Sequence, residues 1–399
     1  MGWLQLTDEQ RRQTLAQAQI RSEIVVKALE KDWWVTLTLK ALFQSAYGPL
    51  MVFKGGTSLS KGFNLIRRFS EDIDIALDPS AFEMPYRDNP SNTFVHNLKK
   101  EGCIFTSTVL REELATQLVA LGVPPGLVTI EAKAVPPSHP DTDPQTLYVR
   151  YPPLYDSNPY IADEVRVEVS VRSLQMPVTQ RPILSLLSEH FPGPAYPEEP
   201  FMVTIMEPRK TFLEKLFLLH EEFGKPDRTK IRYERMSRHP HDLLKMMDTA
   251  VLKNALADHD LYDHLITHRQ QYNRISWVDY GSMRHDTLSF LPPPEVLEKY
   301  AADYTDMREH FIYEDAPLFE EVVRRLKWLQ GMVRLKKDSR SLDEVVQLAT
   351  SQAQNVPGDT VRVTVVIPSQ QAEGSPARYQ VDFVRQSETL VFEAITIVQ

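Results

Sequence analysis

Asp72 and Asp74 stand two residues apart in Phe69-Ser70-Glu71-Asp72-Ile73-Asp74-Ile75, a short interval after Gly55-Gly56-Thr57-Ser58-Leu59-Ser60-Lys61. In an extended strand, residues two apart share a face, so both carboxylates project together while Ile73 and Ile75 pack behind them. Adjacent carboxylates repel unless a cation neutralises them, and hard oxygen ligands suit Mg2+ carrying a nucleoside triphosphate. The glycine pair follows an apolar strand, Leu50-Met51-Val52-Phe53, and precedes a helix that Thr57-Ser58 would cap and that would run to Ile66. Glycines at such a turn let the backbone approach an anion, and the free N–H groups of the helix start can hold phosphate. Each motif alone has a plainer reading, a turn or a solvated strand edge. Their order and spacing favour a phosphate cradle beside a metal site, which is what nucleotidyl transfer needs. Lys61-Gly62 does not make a P-loop, because the lysine precedes the glycine and no Ser or Thr follows.

A third carboxylate is available in Val165-Arg166-Val167-Glu168-Val169-Ser170-Val171-Arg172, a clean alternating strand. If it pairs beside the aspartate strand, Glu168 joins the metal ligands; otherwise Glu168 sits between two arginines on a half-solvated strand. Downstream, Thr211, Glu214 and Lys215 fall on one polar flank of a helix whose other flank carries Phe212, Leu216 and Leu219. A lysine held there could offset charge on triphosphate oxygens, or simply lie on a solvated face. Arg238-His239-Pro240-His241-Asp242 starts another helix, with Pro240 suited to its first turn and Asp242 placed either for chemistry or to complement the helix dipole.

Composition narrows the class. With 42% hydrophobic and 25% charged residues over 399 positions, the chain reads as an ordinary globular protein of two or three domains. No apolar run reaches the roughly 18–20 residues of a membrane span, and Met1-Gly2-Trp3-Leu4 lacks signal-peptide character. Cys103 is the sole cysteine, so intramolecular disulfides and multi-thiolate zinc sites are excluded, as suits a cytoplasmic protein. A net charge of −9 argues against non-specific coating of nucleic acid. Between Arg209 and Lys245, however, ten Lys and Arg face six Asp and Glu, an excess of four positive charges, which marks a segment for phosphate or RNA contact.

The elements that must position these residues follow from periodicity. Residues 8–46 read as helical, interrupted by the charges of Glu30-Lys31-Asp32. A helix is predicted near Arg111–Leu121, then a proline-rich stretch that cannot be a long helix. Past Pro208 the chain turns helical to about 335. The tail reads as a helix at Leu342–Ala353 and strands at Val361–Ile367, Tyr379–Val384 and Thr389–Val398. The expected fold class is α+β: a nucleotidyltransferase-fold mixed sheet with helices over 1–205, a helical domain over 206–338 completing an active site in the cleft between them, and a small α+β module over 339–399. That module is marginal alone and expected to lean on the helical domain, contacting a partner protein, another subunit or the acceptor.

Taken in order, these motifs resemble the AbiEii/AbiGii nucleotidyltransferase-like toxin family, which includes the MenT-type toxins of type IV toxin–antitoxin systems. The resemblance rests on Glu30-Lys31-Asp32-Trp33-Trp34, Phe53-Lys54 through Lys61, Arg68 through Asp74, Thr211 with Glu214-Lys215-Leu216, and Arg238 with Asp242-Leu243, covering roughly residues 10–335. It implies that the glycine motif, with Lys54, Gly55, Gly56, Thr57, Ser58 and Lys61, and also Arg238, binds the nucleotide. It implies that Asp72 and Asp74 bind Mg2+ and that Lys215 and Asp242 are needed for activity; Glu168 would be a third metal ligand if its strand pairs as above, and Asp242 would orient or deprotonate the acceptor. The acceptor would be RNA, particularly tRNA, or protein; a separately encoded antitoxin and a role in phage defence are further implications. One departure stands out: the family's fourth motif has an Asp directly after the Arg or Lys, where this chain has His239. A small-molecule nucleotidyltransferase of the antibiotic-modifying kind shares the first two motifs, and a non-catalytic scaffold would have no use for two repelling carboxylates.

Overall fold

A computed structural model describes residues 2–156, 161–193, 195–334, 342–367, 377–386 and 389–398. The fold is α+β, and the chain divides into two compact units. The first comprises Met1–Thr211 with Gln271–Asn273 and His310–Asp315; the second comprises Phe212–Gln270, Arg274–Glu309 and Ala316–Gln399. The tail expected as a third module therefore falls within the second unit.

The first unit is built on a seven-stranded mixed sheet. Its strands are β1 (Met51–Lys54), β2 (Asp72–Leu77), β3 (Thr129–Ala132), β4 (Gln145–Arg150), β5 (Glu164–Ser170), β6 (Val178–Ile183) and β7 (Phe201–Met206), in the order β3-β4-β5-β2-β1-β7-β6. β2 runs parallel to β5 and antiparallel to β1. Alternation decides which side is core: Phe53, Ile73, Ile75, Leu147, Val149, Val165, Val167 and Val169 are buried on one face. Helices α1 (Asp8–Ser22), α2 (Val26–Gln44), α4 (Asn92–Phe105), α5 (Arg111–Ala120) and the short α6 (Leu186–His190) contribute Leu15, Trp33, Leu37, Leu98, Leu114 and Leu187 to the same cluster. The helix predicted at 111–121 is thus present, joined to α4 by a wider turn at Thr106–Leu110. The predicted helical stretch 8–46 is two helices, because Glu23 adopts a left-handed conformation (φ 63°) that ends α1.

Glu30, Lys31 and Asp32 do not interrupt α2; they lie buried in its middle. Burial of charge is tolerable only when each group is paired. Lys31 meets Glu71 at 2.5 Å and donates to the Ala162 carbonyl at 2.9 Å. Asp32 meets Lys61 at 2.5 Å and accepts the Leu186 N–H at 2.7 Å. Glu30 accepts the Leu154 N–H at 2.7 Å, yet burial still lifts its acid to about 7. Helix α2 thereby grips, through charge, the segments flanking β2 and the end of the helix after the glycine pair.

In the second unit, α7 (Pro208–Phe223, whose first turn belongs to the first unit) and α8 (Arg238–Met247) are followed by α9 (Ala250–Ala257), α10 (His259–Tyr272), α11 (Pro294–His310) and α12 (Phe319–Arg334). α7 is not the two-sided helix the pattern suggests: Phe212, Leu213, Lys215, Leu216, Phe217 and Leu219 are all buried. The tail forms α13 (Leu342–Ala353) and an antiparallel sheet of β8 (Thr360–Ile367), β9 (Ala377–Gln386) and β10 (Thr389–Val398), in the order β10-β9-β8. Val345, Ala349, Val363, Tyr379 and Val381 make its core, and Trp328 and Met332 of α12 pack against it. No helix among the described residues is long and apolar enough to cross a membrane.

Candidate active site

The register of β2 sets the carboxylate patch of the first unit. Asp74 pairs with Lys54 on one side and Glu168 on the other, and Asp72 pairs with Arg166. Directly paired residues point to the same face, so Lys54, Asp72, Asp74, Arg166 and Glu168 share the face opposite the core. The next row on that face, Val52 and Ala76, is apolar and clusters with Met206, closing the inner end of the polar patch. β5 therefore does run beside the aspartate strand, in the pairing on which a ligand role for Glu168 depends. Among the described residues, no three His, Cys, Asp or Glu side chains are gathered closely enough to hold a metal ion on their own. What the patch offers is an all-oxygen donor set on adjacent strands, chemistry that fits a hard divalent cation. The Arg166 guanidinium intervenes: its Nε is 3.9 Å from Asp72 Oδ1, and Asp72 and Glu168 together hold its charge in place against partial burial.

The glycine pair is required by contact as well as by conformation. Gly55 has φ +80°, and a Cβ placed there would lie 1.9 Å from Asp74 Oδ2. A Cβ on Gly56 would lie 2.5 Å from Arg68 Nη2 and 3.0 Å from Ser70 Oγ. Helix α3 (Gly55–Phe63) starts at once, with Lys54 as its N-cap and no side-chain cap. The expected capping by Thr57 and Ser58 is not found, since both lie inside the first turn. Ser58 donates to the Gly55 carbonyl at 2.9 Å. Thr57 donates to the Asp72 carbonyl at 2.5 Å, which leaves Ser70 to donate to Thr57 Oγ1 at 2.8 Å. Thr57 is thus the stitch that holds α3 against β2. The helix ends at Phe63, with Asn64 left-handed, short of the predicted Ile66. Among the described residues Lys54 makes no ion pair, whereas Lys61 lies in the last turn, about 9 Å along the axis, on Asp32. Behind α3, a cavity of about 660 Å³ is walled by Lys61, Arg67, Arg68, Glu189 and Tyr313; neither Asp72, Asp74 nor Glu168 lines it.

The second unit brings Lys215 of α7 and Asp242 of α8 together, Nζ to Oδ2 2.9 Å, with both side chains buried. Neither a solvated flank for Lys215 nor a dipole-complementing surface role for Asp242 describes this pair. Lys215 also donates to Nδ1 of His239 at 3.3 Å; an ammonium has no lone pair, so that nitrogen must be the acceptor. His239 occupies the position where the fourth motif is expected to carry an Asp, and the structure places it on the same lysine. Arg238, half-buried, is the first residue of α8. The loop ahead of it is fixed by Asp303, which accepts the N–H groups of Arg235 at 2.6 Å and Ser237 at 2.9 Å. Spacing alone gave no sign of Arg166 as a neighbour of Asp72, nor of Asp303; the quoted Glu71 and His239 were in view, but their partners were not.

A family model described as "Nucleotidyl transferase AbiEii toxin, Type IV TA system" matches residues 38–328, well over half of the chain. A search of curated proteins found no match.

Proposed function

Because the chain belongs to the AbiEii nucleotidyl transferase toxin family, a type IV toxin–antitoxin family, we propose that it moves a nucleotidyl group from a nucleoside triphosphate to RNA, with tRNA the favoured class, releasing pyrophosphate. The observation that carries the reading is the register placing Asp72, Asp74 and Glu168 on one face beside the uncapped start of α3. Asp72 and Asp74, with Glu168, would hold Mg2+, which when bound supplies charge neutralisation at the triphosphate and polarises the bond to be broken. The N–H groups of the first turn of α3 are oriented to receive phosphate oxygens, and Gly55 and Gly56 leave room for that approach. Lys54, beside Asp74 in the sheet, adds an uncommitted ammonium on the same face. Lys61 serves this site by anchoring α3 to α2 through Asp32.

The resemblance implies that Lys215 is needed for activity, and its ammonium is assigned to offset charge on the leaving pyrophosphate. Asp242 and His239 act through that lysine, fixing its position; a wholly buried Asp242 must first part from Lys215 to meet an acceptor. The excess of positive charge between Arg209 and Lys245 supports an anionic acceptor such as RNA over an uncharged small molecule. A separately encoded antitoxin follows from the family as the expected partner. The experiment is incubation of the protein with each labelled triphosphate, Mg2+ and total bacterial RNA, alongside Asp74→Asn. Label transferred to RNA by wild type and not by the variant is the expected result. Transfer to protein or to a small molecule instead would replace the acceptor class, and transfer undiminished in Asp74→Asn would sink the site.

A further inference from the structure

We infer that the loop between α7 and α8, with Trp277 beside it, is a binding surface for single-stranded RNA, its cations taking the phosphates and Trp277 and Tyr233 taking the bases. The inference deepens the RNA reading proposed above and rests on it. The positive excess between Arg209 and Lys245 is not spread along that segment. From Gly224 to Arg238, six Lys and Arg stand against two Asp and Glu, while the rest of the segment is balanced, four against four. The loop, Trp277 and the α11 residues that meet it all belong to the second unit.

The fold pins this loop at two points. The buried Glu222 carboxylate pairs with Lys225 and Arg232 and accepts the Arg232 N–H at 2.7 Å, and Tyr300 of α11 donates to the Arg232 carbonyl at 3.0 Å. Between those anchors the cations stay available to a ligand. Exposed Arg228 bonds to the Phe223 carbonyl, a neutral partner, and Lys230, with 77% of its side chain exposed, stands 3.4 Å from Asp227. Two aromatic rings are interleaved with them. Trp277, in the loop after α10, is 44% exposed, yet its Nε1–H donates to the Glu221 carbonyl at 3.2 Å and the Lys225 ammonium lies 5.9 Å from its ring centre. Half-buried Tyr233 has the Lys299 ammonium of α11 at 4.9 Å from its ring centre. A ring held in place but left partly exposed offers a face on which any base can stack. Alternating cations and rings suit a strand that alternates phosphate and base, whereas a duplex keeps its base faces inside the stack and can use only the cations.

The test is fluorescence anisotropy of a labelled single-stranded RNA of about twelve nucleotides, and of its duplex, titrated with the full chain. Trp277→Ala is expected to weaken single-strand binding about tenfold, and Trp277→Phe, which keeps a ring, by no more than about threefold. Arg228→Gln with Lys230→Gln should weaken it about tenfold at low salt and flatten the slope of log affinity against log salt by about 1.4. Lys253→Gln, which removes an exposed charge on α9, should stay within about twofold of wild type. On the unmutated chain the RNA should quench tryptophan emission, and the quench should be lost in Trp277→Phe while anisotropy still reports binding. Single-strand binding equal in wild type, Trp277→Ala and the Arg228/Lys230 variant overturns this surface and leaves the RNA reading standing. A wild type that binds neither single-stranded nor duplex RNA, and transfers label to protein, overturns both. A loss in Lys253→Gln as large as in the loop variant overturns the location, and Trp277→Ala weakening the duplex as much as the single strand overturns the stacking.

Discussion

Two clusters of Lys, Arg, Asp and Glu lie within the first unit, and they are built differently. In the α2 network, Lys31 and Glu71 close to 2.5 Å, as do Asp32 and Lys61, and all four side chains are buried. On the sheet face opposite the core, Arg166 and Asp72 stand 3.9 Å apart and remain partly exposed. The first cluster balances its charges pair by pair, so its capacity is spent on holding α2, α3 and β2 together. The second sets three carboxylates on one face, with no pairing of Arg166 as tight as those of α2, and it is the cluster to which the metal role is proposed. Residue type does not separate structural charge from functional charge; tightness and balance do.

Breaking the tight cluster should have the largest effect. Lys31→Ala takes from buried Glu71 the ammonium it meets at 2.5 Å and is expected to cost about 3–5 kcal/mol, measured by urea denaturation, whereas the double change Lys31→Met with Glu71→Leu should recover much of the loss. A double variant no better than the single one would mean the pair does more than neutralise charge. The buried pair of the second unit follows the same rule. Lys215→Ala should destabilise by about 3–5 kcal/mol because buried Asp242 loses the ammonium it meets at 2.9 Å, in contrast to the solvated flank that periodicity allows. Activity of that variant must therefore be read beside Lys215→Met with Asp242→Asn, which keeps the volume and removes both charges.

Next in size is Glu30. Its acid is raised by burial to about 7, so the folded state prefers the protonated form. Stability from this group is present below its ordinary value near 4.5 and is lost as pH climbs through about 7. Glu30→Gln keeps an acceptor for the Leu154 N–H and should be more stable than wild type at pH 8 by on the order of 2–3 kcal/mol, the advantage vanishing near pH 4. An advantage independent of pH would show that packing, not charge, is responsible. The smallest stability change is expected at the loose cluster: Asp74→Asn and Asp72→Asn should alter stability by no more than about 1 kcal/mol while abolishing nucleotidyl transfer. Retained transfer in either would remove the distinction drawn between the clusters.

Composition and local pattern were enough to determine much of this protein. Strand alternation placed Asp72 and Asp74 on one face and Ile73 and Ile75 on the other, because the two-residue period of a strand is a property of the backbone alone. The helix after the glycine pair, the strand through Glu168 and the α+β tail were legible for the same reason. Pairing was not legible. That β5 lies against β2 with Glu168 opposite Asp74, and that Arg166 therefore meets Asp72, depends on register between segments about ninety residues apart. Helical periodicity takes the charges of α2 for an interruption because it records polarity and cannot see the partners, Glu71 and Lys61, that make their burial tolerable. Periodicity puts Lys215 on a polar flank and goes no further for the same reason: only the tertiary structure supplies Asp242 and His239, and a buried ion is intelligible only once its counter-charge is in place.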